Sequence, residues 1–142
     1  FFFFFLAIGE QITAIGYPIL SGDSNSLLKK QDQLSIRDLF GFSGQGSGKD
    51  LLETSASSIG KSGSSGGAIV DSSNHLIGLI ANVIPTQNPD RTYIRGISLD
   101  HISSSLLQQT GISLLDLINS DGSSLKQIFE SRYLQTIKAN LL

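Results

Sequence analysis

The chain changes its hydrophobic rhythm once, near Asp100, and that single change limits the architectures open to it. Upstream, apolar and β-branched residues come in short runs cut by Gly, Ser, Asn or Pro: residues 11–15 ahead of Gly16-Tyr17-Pro18, then 51–55, 68–70, 76–84 and 92–99. Each run has the length and the boundaries of a strand. Residues 68–70, a turn at 71–74 and residues 76–84 predict a β-hairpin whose second strand closes before Pro85. Residues 41–49 and 57–67 read as Gly/Ser loops, and residues 27–40 are mixed and ambiguous in pattern. Beyond Asp100 the apolar residues recur at helical spacing, as Ile102, Leu106 and Leu107, then Leu114, Leu115, Leu117 and Ile118, then Leu125, Ile128, Phe129, Leu134 and Ile137. Asp100 is the expected N-cap, and Gly111 and Gly122 are the expected breaks. Strands followed by helices predict a β domain with an α tail.

A chain of 142 residues with 39% hydrophobic content supports one packed core and is short for two domains with a site between them. Charged residues are only 15%, the net charge is −2, and the Lys and Arg residues are scattered, which leaves no basic stripe for a phosphate backbone. Nucleic acid is therefore not an expected partner. Cysteine is absent, so there is neither a disulfide framework nor a thiolate metal site, and packing alone must hold the fold. No metal or cofactor is expected. Residues 1–8 are intensely apolar but too few to span a bilayer, and they lack the basic flank of a secretory signal. Three readings stay open for them: the end of a signal or anchor, implying export or membrane association; a buried strand; or a consequence of where the chain is delimited.

Gly63-Ser64-Ser65-Gly66-Gly67 fits the pattern G-x-S-G-G, and the chemistry of acyl transfer explains those residue types. A serine hydroxyl attacks a carbonyl while backbone N–H groups stabilise the oxyanion, so the backbone must fold tightly beneath the substrate, as glycine permits. The same residues satisfy the G-x-S-x-G elbow of α/β-hydrolases, but that elbow opens a helix, and here Gly67 leads into Ala68-Ile69-Val70 and a hairpin. Residues 55–62 approach a P-loop through Gly60-Lys61-Ser62, yet Ser55 stands where glycine is required and no helix follows. In a chain with 15 glycines and still more serines, a plain flexible loop is the alternative to any of these.

Context favours the first reading. Gly9-Glu10-Gln11-Ile12-Thr13-Ala14-Ile15-Gly16-Tyr17-Pro18 resembles the segment G-D-x-V-x-A-I-G-N-P of chymotrypsin-fold serine proteases of the HtrA (Deg) type. Thr54-Ser55-Ala56 resembles the segment before their nucleophile loop, Ile77-Gly78-Leu79 matches their V-I-G-I spacing, and Ile97-Ser98-Leu99-Asp100-His101-Ile102 resembles their strand-to-helix ending A-I-P-S-x-x-I. The four segments keep the family's order over residues 9–102. Departures are Ser64 for the common Asn or Asp, Ala68 for the usual Pro, and no match beyond about residue 105.

The resemblance implies a mainly β fold: the C-terminal barrel part of a chymotrypsin-like double β-barrel over residues 9–102, preceded by the apolar residues 1–8 and followed by a helical extension over 103–142. It implies a serine endopeptidase with a polypeptide substrate and an acyl-enzyme mechanism, Ser65 as nucleophile, and the N–H groups of Gly63 and Ser65 as oxyanion donors. The family's catalytic His and Asp lie upstream, in an N-terminal barrel this chain is missing. His75 and His101 read as surface or capping residues, so neither is assigned as the base. By position, residues 59–62 and Leu79, Ile80, Ala81 and Asn82 face substrate; their apolar, non-acidic character points to a small aliphatic side chain in the primary pocket. An ordinary core strand is the alternative for Leu79 and Ile80. The rival function is a protease-like binding module or remnant without activity.

Overall fold

Strand β1 (Gln11–Gly16) buries every second residue, Ile12, Ala14 and Gly16, and turns the intervening side chains outward, the period of a strand with one face on a core. A computed structural model of the chain describes residues 6–19, 28–42, 48–134 and 138–139. In it β1 pairs antiparallel with β2 (Lys30–Phe40) on one side and with β4 (Ala68–Asp71) on the other. β3 (Leu51–Ser57), β5 (Leu76–Pro85) and β6 (Thr92–Ser98) complete the order β1-β2-β3-β6-β5-β4, which closes on itself as a barrel. The predicted hairpin is β4–β5, although β5 runs on through Pro85, which sits opposite Thr92 at the end of the ladder. β4, β5 and β6 follow one another as hairpin neighbours, whereas β3 lies beside β6 and reaches β4 only through a long connection. That is a Greek key, and its long connection is the Gly/Ser stretch.

Side chains from every strand fill the barrel, among them Ile12, Leu34, Leu52, Ile69, Ile80 and Ile94, each at most 4% exposed. The stretch of ambiguous pattern is β2, and a bulge accounts for the ambiguity. Register slips between Ile36 and Asp38, so Leu34 and Ile36 face the core from even positions and Leu39 packs against it from an odd one. The apolar phase therefore breaks halfway along the strand. Of the expected loop at 41–49, residues 43–47 lie outside the described residues, as do position 27 and Ile137. So do Phe1 to Phe5; next to them Leu6 is buried in the core and Ile8 is 66% exposed at a turn, so residues 6–8 form no strand.

β6 passes directly into α1 (Leu99–Thr110). The expected cap at Asp100 is corrected to Ser98, whose buried hydroxyl accepts the His101 N–H at 3.2 Å. The strand holds its register up to Ser98, so the helix opens before Asp100, which falls inside the first turn. α2 (Leu114–Asn119) is capped by Ser113, and α3 (Gly122–Ile128) by Asp121, so the second break falls one residue ahead of Gly122. A π-turn over Phe129–Tyr133 follows α3. The chain divides into two compact units, one through Ile102 and one from Ser103. Among the described residues no helix is long and apolar enough to cross a membrane.

Candidate active site

Residues 58–67, the long connection of the Greek key, contain all of Gly63-Ser64-Ser65-Gly66-Gly67. A segment without strand or helix of its own takes its shape from what its backbone is bonded to. Here the barrel supplies the partners. Ser62 O accepts the Ile19 N–H at 2.7 Å, and Gly60 O accepts the Thr92 hydroxyl at 2.5 Å. At the far end Gly66 N–H donates to Ile80 O, and Ile80 N–H donates to Gly67 O, each at 2.8 Å.

Within the turn two neighbouring serines divide the work. Ser64 is 1% exposed and its hydroxyl donates to Ile59 O at 2.6 Å, anchoring the turn inward, while Ser65 is exposed. Gly63 and Gly66 flank the pair at φ +90° and +82°, in the left-handed region that L side chains rarely adopt. A Cβ on Gly63 would also stand 2.7 Å from Tyr17 O. After Gly67 the chain enters β4, so the motif is strand, turn, strand, and the hydrolase elbow with its helix is excluded.

Ser65 Oγ donates to Ala81 O at 3.2 Å. This carbonyl is available because β5 bulges against β6: Ile80 pairs with Gly96 and Asn82 with Arg95, leaving Ala81 as the extra residue. The bulge also sorts the four residues expected at the substrate. Leu79 and Ala81 are half-buried and Asn82 is exposed, while Ile80 gives its side chain to the core at 2% exposure and meets the Ser65 loop only through its backbone. Ile59, in the loop itself, is likewise buried. Among the described residues neither the Gly63 nor the Ser65 N–H donates to a protein acceptor.

Both histidines are engaged away from Ser65. His75, in the β4–β5 turn, places Nδ1 3.1 Å from Asp71 Oδ2. The His75 backbone N–H, the His75 ring and the Ser73 N–H hold the Asp71 carboxyl below its ordinary range, against a smaller opposing effect of desolvation. His101, in the first turn of α1, places Nδ1 3.2 Å from Asp50 Oδ1 and its ring 4.7 Å from that of Phe42. Among the described residues no three His, Asp or Glu side chains are grouped to hold a metal. A polar cavity of about 310 Å³ is lined by Gln11, Thr13, Gln33, Asp71, Ser72 and Asn74 among others and includes none of the loop residues.

A closed antiparallel barrel, with an exposed serine on the glycine-bounded crossing of its Greek key and helices after its last strand, has the mainly β architecture that the resemblance implies. No protein-family model and no curated protein matches the chain. Solved structures similar to it include the HtrA-type protease AlgW with a tripeptide, at 20% identity and TM-score 0.49, covering 75% of this chain and 34% of that one. The MamO protease domain from Magnetospirillum magneticum is similar at 17% identity and TM-score 0.48, covering 70% and 49%. Rv3671c from M. tuberculosis is similar at 15% identity and TM-score 0.46, covering 72% and 48%. The chain thus spans between a third and a half of the length of these structures.

Proposed function

We propose that this chain carries the nucleophile of a serine endopeptidase. One observation carries the reading: Ser65 stands exposed at the tip of a strand–turn–strand loop, between glycines at positive φ and against the bulged strand β5. In the proposed reaction Ser65 Oγ leaves Ala81 O and attacks the substrate carbonyl carbon. Its proton passes to a histidine, and the carbonyl oxygen, now negative, is received by the N–H groups of Gly63 and Ser65. Collapse expels the amine with the histidine's proton, and water hydrolyses the acyl-enzyme by the same steps. Among the described residues Ser65 Oγ bonds Ala81 O and neither His75 nor His101, so the base and the carboxylate that orients it are assigned to a second barrel carrying His and Asp. The half-buried Leu79 and Ala81 suit Val, Ala or Leu before the scissile bond better than Lys or Arg.

Fluorophosphonate labelling tests this reading. A serine without a base is a weak nucleophile, so the chain alone reacts slower by about a thousandfold or more than the same chain joined to a barrel supplying His and Asp. Ser65→Ala abolishes labelling in the joined protein, and His75→Ala and His101→Ala leave it within about twofold. Fast labelling of the chain alone, lost on changing either histidine, would mean that the base lies within it. No labelling of the joined protein would leave the inactive binding module as the better reading.

A further inference from the structure

The Ser65 loop is fastened at its upstream margin by a carboxylate from a different strand. Asp32 lies on β2 opposite Ala14, in the continuous β1–β2 ladder. Its Oδ2 accepts the Ser57 hydroxyl at 3.0 Å and the Ser58 N–H at 3.1 Å, with the Ser58 hydroxyl at 3.4 Å. Ser57, 1% exposed, is the last residue of β3, so one oxygen atom holds the corner at which the chain leaves the barrel wall. The connection continues inward. Ser57 Oγ accepts the Ile59 N–H at 3.1 Å, and Ile59 O accepts both the Lys61 N–H at 2.8 Å and the buried Ser64 hydroxyl at 2.6 Å. Ser64 is joined to Ser65 by the next peptide bond.

We propose that Asp32 is a positioning residue for Ser65, acting through Ser57, Ile59 and Ser64. The inference rests on the reading of Ser65 as nucleophile and adds which residue sets its place. Bonds to a carboxylate acceptor are the strong ones; Asp32 is held in the β1–β2 ladder and Ser57 ends the β3–β6 ladder opposite Thr92, while Ile59 and Ser64 belong to the loop. A rigid strand thereby fixes the turn, and a turn so fixed presents its hydroxyl without ordering cost at each encounter. The relay runs from Asp32 to Ser64 beside the loop's separate bonds at Gly60, Ser62, Gly66 and Gly67, so removing the carboxylate loosens the Ser57 corner and weakens the hold on Ile59 and Ser64 without freeing the whole loop.

The test reads backbone amide resonances and hydrogen exchange in the full chain, for wild type, Asp32→Ala, Asp32→Asn and Ser57→Ala. Asp32→Ala and Ser57→Ala should speed exchange by about tenfold at Ile59 and Ser64 and move the Ser65 amide resonance, with the β4–β5 amides unchanged. Asp32→Asn keeps an acceptor oxygen and should restore most of the protection. Unchanged Ser64 and Ser65 amides in Asp32→Ala would overturn the proposal. So would acceleration spread evenly over the barrel, or an Asn variant no better than Ala, because either marks a general loss of stability. None of these readouts needs turnover, so an inactive Ser65 leaves them as predicted, and the protease reading fails on labelling instead.

Discussion

Three glycines in the Ser65 loop do different jobs, and substitution separates two of them. Gly66 has φ +82° with nothing within 4 Å of where an alanine methyl would stand, so Gly66→Ala meets only the left-handed backbone penalty, about 1–2 kcal/mol. Gly67 has no such backbone constraint, but its Cβ would run into the Ile15 carbonyl oxygen and stand 2.9 Å from Ser64 O. Those are backbone atoms of β1 and of the turn itself, so Gly67→Ala should cost about 3 kcal/mol or more in urea unfolding. Equal costs would show that close approach is not what Gly67 is for. Gly63 combines both needs, a positive φ and a neighbour that leaves no room for a side chain. Such glycines are legible in a sequence because each marks a backbone need that other residues meet poorly. Asp32 is not legible in that way. Its partner Ser58 stands 26 positions away, and only strand pairing brings the two together.

At the level of elements, the strands that kept a clean period of two, such as β1, were readable, and the one with a mid-strand bulge was not. The helices were readable as helices, but their caps depended on where the preceding element stopped. Asp121 shows what such a cap does. Its carboxylate accepts from the hydroxyl and N–H of both Ser123 and Ser124, and these bonds, the Ser123 hydroxyl foremost, hold its pKa far below the ordinary carboxylate range. A carboxyl depressed on folding stabilises the folded state above its unfolded pKa, about 3.9, and loses that contribution as pH falls through the lower folded value. The Ser123 and Ser124 amide resonances should therefore hold steady from about pH 7 to about pH 4 and move only in stronger acid. Asp121→Ala should fray α3 already at neutral pH. Fraying of the wild type in the mildly acidic range above pH ~5 would show that the carboxylate is not the cap.

Over the whole molecule, burial separates the barrel from the helices. Leu52 is fully enclosed at the barrel centre, whereas α1, α2 and α3 contain no buried residue and Leu115 is 68% exposed. Leu52→Ala should cost about 3 kcal/mol in the barrel's unfolding transition, and Leu115→Ala should stay within about 0.5 kcal/mol. Comparable losses would mean that the helical unit hides Leu115 in solution. The amino-acid sequence by itself determined the order of strands and then helices and the Gly-Ser-Ser-Gly-Gly turn, because period, breakers and glycine requirements are local properties of the chain. Only the tertiary structure decided that β3 lies beside β6, which makes the Ser65 loop the crossing of a closed barrel. It alone turned Ile80 into the core while freeing the Ala81 carbonyl toward Ser65, and it alone set Asp32 beneath Ser57. Register, bulges and barrel closure bring together residues far apart in the chain, and a chain's local pattern carries no term for the partner it will meet.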